Sequence, residues 1–247
     1  MSWQPEIEKI ERRDKLARST HAARLRFGSI LVLLLLASAS AVSGQGAQLV
    51  VENWSKGSMG QTGVPPGWRS QNWGSPKYEF EIVNAGSHRA LHMVSNGDSS
   101  TINKEVKVDC KDYQVIQWSW KVVELPRGGD ARKKESDDQA AQLYVTFPRF
   151  PSAVRSRVIG YIWDSTAPAG ITIKSQKTGL VTYVVIRSGQ DDLGTWVSEK
   201  RNVCEDYRKI YGEEPDEKIE AISIGIDSDD TRSRAEAYVG EILFRKP

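Results

Sequence analysis

Five aspartates in two loops are the residues of this sequence best suited to chemistry. Asp227 and Asp229 leave a predicted strand just before a turn, and carboxylates at alternate positions can coordinate a hard cation through oxygen. These two residues therefore predict a structural Ca2+ site. The pattern is not an EF-hand loop, because it has neither Gly at the sixth position nor Glu at the twelfth. The alternative is turn chemistry, in which the aspartates bond their own backbone.

The other three aspartates, Asp130, Asp137 and Asp138, flank a charged loop that leads into a strand. Glycosidases use two carboxyl groups, about 5 to 9.5 Å apart. Because loops can bring such groups together, one hypothesis is a polysaccharide hydrolase or lyase that uses these carboxylates, paired with those of Asp227 and Asp229 in the other loop. The sequence contains no His-Glu-x-x-His zinc motif, Gly-x-Ser-x-Gly elbow, phosphate loop or dinucleotide fingerprint.

A strand predicted over residues 115–123 carries a polar face. Alternation directs its two tryptophans toward the core and places Gln117, Ser119 and Lys121 on the opposite face. Amide, hydroxyl and ammonium groups on one sheet face are suited to bonding the hydroxyls of a sugar.

Three aromatic residues on later strands complete this candidate site. Tyr144 points outward from its strand, and Tyr161 and Trp163 lie on one face of the next. If the strand of Tyr144 neighbours the strand of Lys121, these residues form a wet sheet face with an aromatic tip that binds a glycan. The alternative is an ordinary solvated face.

The elements that must position these residues are mostly strands, since period-2 alternation recurs between Gly-, Pro- and Asn-containing turns. The predicted strands are Gln48–Glu52, Tyr78–Val83, Ala90–Ser95, Thr101–Val108, Val115–Val123, Gln142–Phe147, Val158–Trp163, Thr182–Arg187, Ala221–Ile226 and Tyr238–Phe244. They indicate an all-β protein, a two-sheet antiparallel β-sandwich of jelly-roll type. One short helix is predicted between Asn202, a capping residue, and Gly212.

The N-terminus has the pattern of a secretory signal. An apolar run from Phe27 to about Val42 follows Arg24 and Arg26 and leads into a small-residue cleavage site near Ala41. The run is shorter than the roughly 20 residues that span a bilayer, which favours a cleaved signal over an uncleaved membrane anchor. No membrane span is therefore expected after cleavage. The sequence thus predicts a leader over residues 1–41, a single sandwich domain over 48–247, and a periplasmic or secreted location.

Charge and cysteine content bound the partners. Removing the leader's seven basic and four acidic residues from totals of 34 and 32 leaves 27 basic and 28 acidic side chains. The remaining chain is nearly neutral, which argues against nucleic acid as a partner. Cys110 and Cys204 would enter an oxidising compartment, where they are either bridged or two separate buried thiols.

Several short motifs, in their order and spacing, resemble an uncharacterised family of bacterial exported proteins, domain of unknown function 3047. These motifs include Trp118-Ser119-Trp120-Lys121-Val122, Tyr144-Val145-Thr146-Phe147, Tyr161-Ile162-Trp163, Asp227-Ser228-Asp229-Asp230-Thr231 and Ala237-Tyr238-Val239-Gly240-Glu241-Ile242. The likeness extends from about residue 48 to the end, although Asp230 stands where Asn is expected. The resemblance implies a jelly-roll sandwich similar in outline to sugar-binding modules and exported to the envelope, and it implies no activity.

The sequence therefore predicts an envelope β-sandwich that binds a glycan or another envelope ligand without catalysis. Two alternatives stay open. One is the carboxylate-based hydrolase or lyase, and the other is a structural or partner-binding envelope protein with no small ligand, which would expose a large apolar patch.

Overall fold

A computed structural model describes residues 47–86 and 88–247 as two stacked β-sheets. The strands are β1 Gln48–Glu52, β2 Arg69–Ser70, β3 Glu79–Ala85, β4 His88–Asn96, β5 Ser99–Val108, β6 Val115–Glu124, β7 Ala141–Phe147, β8 Arg157–Asp164, β9 Thr172–Lys174, β10 Val181–Ser188, β11 Val197–Asn202, β12 Ile219–Asp227 and β13 Arg234–Arg245. The helices are α1 Ser152–Arg155 and α2 Val203–Tyr211, with a 3-10 turn at Lys134–Ser136. The predicted leader lies outside the described residues.

The two-sheet β-sandwich predicted from alternation is confirmed. One sheet has the order β11-β6-β13-β4-β3, with β1 also paired to β13, and the other has the order β2-β5-β12-β7-β8-β10-β9. All pairs are antiparallel except β8 with β10. After β8 the chain forms the outer strand β9 and then returns as β10, which lies between β8 and β9. Strand β10 runs antiparallel to β9 and parallel to β8.

The space between the sheets is filled by aromatic rings. Trp118 and Trp120, on the inner face of β6, are each 1% exposed. Trp118 stacks on Tyr161 of β8 at 5.2 Å between ring centroids, and Trp120 packs 6.1 Å from Trp163. Buried rings of this size contribute a large share of the hydrophobic stabilisation, so the inner faces of β6 and β8 form the centre of the core.

Helix α2 begins and ends as the sequence predicts. The Asn202 side chain accepts a hydrogen bond from the Glu205 backbone N–H at 3.0 Å, and Gly212 ends the helix with φ of 74°, a left-handed value that favours glycine. A disulfide joins Cys204, in the first turn of α2, to Cys110 in the β5–β6 connection. Of the two alternatives for the cysteines, the structure has the bridge.

Among the described residues no helix is both long and apolar enough to cross a membrane. The two helices there have only four and nine residues.

Candidate functional site

The predicted partnership between the polar face of β6 and Tyr144 is wrong. Strand β6, with Gln117, Ser119 and Lys121, lies in the six-stranded sheet between β11 and β13. Strand β7, with Tyr144, lies in the other sheet between β12 and β8. The polar faces of β6 and β7 point away from the shared core, so these side chains lie on opposite outer surfaces of the sandwich.

Tyr161 and Trp163 do not form an exposed aromatic tip, and this part of the prediction is also wrong. Their side chains are 0% and 1% exposed. The Tyr161 hydroxyl donates to Asp206 Oδ2 at 2.8 Å, and Trp163 Nε1 donates to the Gly189 carbonyl oxygen at 3.1 Å. Both rings therefore belong to the core, and their polar atoms are satisfied within the protein.

A cleft of about 910 Å3 lies on the outer face of the seven-stranded sheet. Its floor is made by β5, β12, β7, β8 and β10. The loop between β2 and β3 forms one wall, and the β9–β10 connection forms the other. Its lining includes Gln71, Trp73, Lys77, Asp98, Gln142, Tyr144, Thr146, Lys177, Tyr183, Ser223, Asp227 and Asp229. Tyr144 is thus the one predicted ligand-binding residue that the structure places in this cleft.

Two tyrosines lie side by side on this floor. The rings of Tyr144 and Tyr183 are 6.5 Å apart, and Gly160 lies beneath both. A Cβ atom at position 160 would approach the Tyr144 and Tyr183 rings to 2.9 and 3.0 Å. Only glycine gives these rings the room to lie against the sheet, so Gly160 shapes the cleft floor.

Trp73 stands at the rim on an anchored loop. Its side chain is 58% exposed. Gln71 Nε2 donates to the Trp73 carbonyl oxygen at 2.9 Å, and Gln71 Oε1 accepts the backbone N–H of Thr101 at 2.6 Å. Gln71 thereby ties the loop of Trp73 to strand β5. The backbone that carries this exposed indole is therefore held in place, which lowers the entropy cost of a ligand contact there.

Two of the three predicted catalytic carboxylates have structural roles. Asp130 accepts from Arg132 Nε at 2.7 Å and Nη2 at 2.9 Å, and these bonds lower its pKa to about 2. Asp138 accepts the backbone N–H groups of Asp230 and Thr231 at 3.2 and 2.7 Å. Asp130 is therefore held ionised, and Asp138 fixes the loop that follows β12.

The third carboxylate, Asp137, is 2% exposed and lies behind the cleft wall. It accepts from Gln139 Nε2 at 2.8 Å and lies 3.4 Å from the Tyr183 hydroxyl. Burial raises its pKa to about 6, and Asp230 adds to the rise, while Gln139, Lys177 and Tyr183 oppose it. This carboxyl is therefore protonated in mildly acidic solution.

At one end of the cleft, oxygens of Asp138, Asp227 and Asp229 lie within 4.8 Å of one another. Burial, together with the charges of Asp229 and Asp138, raises the pKa of Asp227 well above its ordinary value. Lys177 Nζ lies 3.9 Å from Asp229 Oδ1 and contacts Asp230. The oxygen ligands suit a hard cation such as Ca2+, although Lys177 already neutralises part of their charge.

Most residues of the cleft were not predicted from the sequence, and Trp73, Lys177 and Tyr183 are three of them. Trp73 had a readable signal, because a tryptophan in a Gly- and Ser-rich loop has no strand alternation that would bury it. The sequence carries no such signal for Lys177 and Tyr183, because their place in the cleft depends on β10 folding back between β8 and β9.

Fold and cleft together define a two-sheet β-sandwich with a candidate ligand site on the outer face of one sheet. The chain belongs to DUF3047, a protein family of unknown function, whose model matches residues 66–243. No curated protein matches the sequence.

Several solved carbohydrate-binding modules are similar to this chain in outline. TmCBM61, solved with β-1,4-galactotriose, is 12% identical with a TM-score of 0.37, covering 79% of this chain and 99% of that one. The CBM22-1 xylan-binding domain from Paenibacillus barcinonensis Xyn10C is 10% identical with a TM-score of 0.39, covering 81% and 94%. The family 30 module of a Clostridium thermocellum cellulosomal cellulase is 10% identical with a TM-score of 0.41, covering 81% and 98%. Likeness at this level says nothing about what this chain binds.

Proposed function

We propose that this protein is an exported bacterial β-sandwich that binds a carbohydrate in the cleft on its seven-stranded sheet. The observation that carries the proposal is Trp73, an exposed indole on an anchored backbone segment, at the rim of a cleft that combines apolar and aromatic surface with amide and hydroxyl groups. An aromatic face packs against the C–H face of a sugar ring, while nearby amides and hydroxyls bond its hydroxyl groups.

Polar groups of the right kind line the floor. Gln142, Thr146 and Ser223 present one amide and two hydroxyls to the cleft. Among the described residues, no protein hydrogen bond involves the side-chain hydroxyl of Thr146 or of Ser223, which leaves both available to a ligand. The volume of about 910 Å3 lies within the range of roughly 300 to 1,000 Å3 typical of ligand sites.

The charges of the cleft favour a neutral ligand. Lys77 lies 4.0 Å from Asp98, and Lys177 lies 3.9 Å from Asp229. Both lysines of the cleft are thus offset by aspartates, so the cleft lacks the net positive field of a phosphate- or carboxylate-binding site. A hydroxyl-rich, uncharged glycan fits this balance. Export is supported by the leader pattern and by the disulfide, since such bonds persist in oxidising compartments.

The test is a glycan array followed by native affinity gels that contain xylan, galactan or β-glucan. We expect at least one polysaccharide to retard the protein and Trp73→Ala to weaken that binding by roughly tenfold, the effect of one stacked aromatic ring. Phe150→Ala is the matched control, because Phe150 is also an exposed aromatic residue but lies outside the cleft. The proposal fails if no glycan binds, or if both variants weaken binding equally.

A second candidate function is hydrolysis or elimination of the bound polysaccharide. It is favoured by Asp137 and Asp227, because a general acid must hold its proton near the working pH and both carboxyls have raised pKa values. Asp227 lines the cleft, and Asp137 reaches it through the Tyr183 hydroxyl. This candidate predicts release of reducing or unsaturated sugar ends that Asp227→Asn abolishes while gel retardation persists. If a polysaccharide retards the protein but no new sugar ends are released, the protein binds the polysaccharide without catalysis.

A further inference from the structure

The connection between β7 and β8 exposes two apolar side chains at one end of the sandwich. Phe150 is 89% exposed and Val154 is 69% exposed, and they are the two most exposed large apolar residues among those described. Exposing an aromatic ring and an isopropyl group to water has a free-energy cost that burial against a partner would remove. This pair, Phe150 and Val154, is here named the apolar tip.

Cationic side chains surround the apolar tip. Arg149 and Arg155 lie in the same connection, Arg157 begins β8, and Lys174 and Lys209 lie on β9 and α2. Arg149 and Arg157 share Glu213, and Lys209 pairs with Glu205, so five cations face two carboxylates. Among the described residues, neither Arg155 nor Lys174 has a carboxylate within 4.0 Å. The surroundings of the tip therefore carry excess positive charge.

A pocket of about 570 Å3 opens beside the tip. Val154, Arg155, Arg157, Lys174 and Lys209 line it, together with neutral residues, and no carboxylate of the described chain does so. The Arg157 guanidinium is held in place, because it lies 4.3 Å from the centroid of the Tyr211 ring and donates to the Tyr207 hydroxyl at 2.8 Å. Four cations around one pocket are suited to an anionic group such as a phosphate.

From this juxtaposition we propose that the β7–β8 connection docks the protein on an anionic phospholipid surface. Phe150 and Val154 enter the boundary between headgroups and acyl chains, and the adjacent basic pocket takes a lipid phosphate. The combination of a protruding apolar tip with flanking cations matches the two interactions by which peripheral proteins hold a membrane, apolar insertion and attraction to anionic headgroups. The surface lies outside the glycan cleft, and the apolar tip and its cations line no part of that cleft.

The test is co-sedimentation of the purified full chain with vesicles of phosphatidylcholine alone or mixed with phosphatidylglycerol. We expect binding to be stronger on the mixed vesicles. Phe150→Ser/Val154→Ser should weaken that binding at least tenfold, and Arg155→Gln/Lys174→Gln by roughly 25-fold, at about fivefold per charge. Lys56→Gln/Lys111→Gln, the same charge change at exposed positions outside the pocket, should leave it nearly unchanged. Every variant keeps the apolar run at residues 27–42, so differences between variants report only on the β7–β8 surface.

Three results would overturn the proposal. The first is equal binding to neutral and anionic vesicles. The second is loss of binding in the lysine control as large as in Arg155→Gln/Lys174→Gln, which would indicate a diffuse charge effect. The third is full competition by inorganic phosphate with no effect of the Phe150 and Val154 substitutions, which would indicate a site for a free anion. Glycan retardation on affinity gels is measured separately, so either proposal can fail alone.

Discussion

Replacing the buried Asp137 with Asn should stabilise the protein above about pH 6 and change it little near pH 4. The native state raises the pKa of Asp137 from an ordinary 3.8 to about 6. The native carboxyl therefore keeps its proton over a range in which the unfolded carboxyl has lost it. Because the native state then binds more protons than the unfolded state, the free energy of unfolding decreases as the pH rises through this range.

The size of the effect follows from the shift. A rise of about two pKa units lowers the free energy of unfolding by roughly 3 kcal/mol, at 1.36 kcal/mol per unit. This loss builds up between about pH 4 and pH 6 and stays constant at higher pH. In Asp137→Asn the new amide would still accept from Gln139 through its oxygen, and its nitrogen would donate to the Tyr183 oxygen, so both contacts have a replacement. The stabilisation should therefore approach 3 kcal/mol at pH 8, as an upper limit at about 1.36 kcal/mol per unit.

Urea denaturation of the wild type and Asp137→Asn at several pH values between about 4 and 8 measures this difference. Asp227 and the other titrating groups are present in both proteins, so their contributions largely cancel. Asp191→Asn, at an exposed loop position, controls for the loss of a surface carboxylate. If Asp137→Asn is less stable than the wild type at pH 8, or if the difference does not change with pH, the buried carboxyl is not held in its protonated form and the reasoning is wrong.

Two further predictions concern the disulfide and the carboxylate cluster. Cys110→Ser/Cys204→Ser should lower the free energy of unfolding by about 4 kcal/mol in non-reducing urea titrations, because the bridge closes a loop of 94 residues in the unfolded chain; a loss below about 1 kcal/mol would contradict this. Ca2+ at roughly a hundredfold excess over Kd should raise the Tm of chelator-treated protein by roughly 5–10 °C. Asp229→Asn, at a half-exposed position, should abolish that rise and leave the calcium-free Tm nearly unchanged. If added Ca2+ does not change the Tm of the wild type, the calcium site is wrong.

Much of the fold follows from local pattern. All ten predicted strands overlap observed ones, because alternation with period 2 records which side chains face the core. The strands that were not predicted, β2, β9 and β11, are short or highly charged; β11 reads Val-Ser-Glu-Lys-Arg-Asn and lies at a sheet edge, where burial leaves little trace in the sequence.

The candidate site was predicted less well, and two pairs of residues show why. Alternation correctly directs Tyr144 and Lys121 out of the core, but it does not specify which sheet contains each strand. Their predicted adjacency therefore failed. The predicted exposed tip of Tyr161 and Trp163 was wrong for a related reason. The sequence shows that both residues share one face of β8, but not whether that face is the outer surface or the core.

The sequence alone determined what depends on neighbours along the chain: the strands, the caps of α2, the nearly neutral charge after the predicted leader, and the outward direction of Tyr144. The tertiary structure decided what depends on distant segments meeting. It joined Cys110 to Cys204, and it built a cleft where Trp73, Tyr144 and Tyr183 meet from three parts of the chain. The physical reason is that strand pairing is nonlocal, since the order of strands in a sheet is set by packing of whole faces and not by any short stretch of residues.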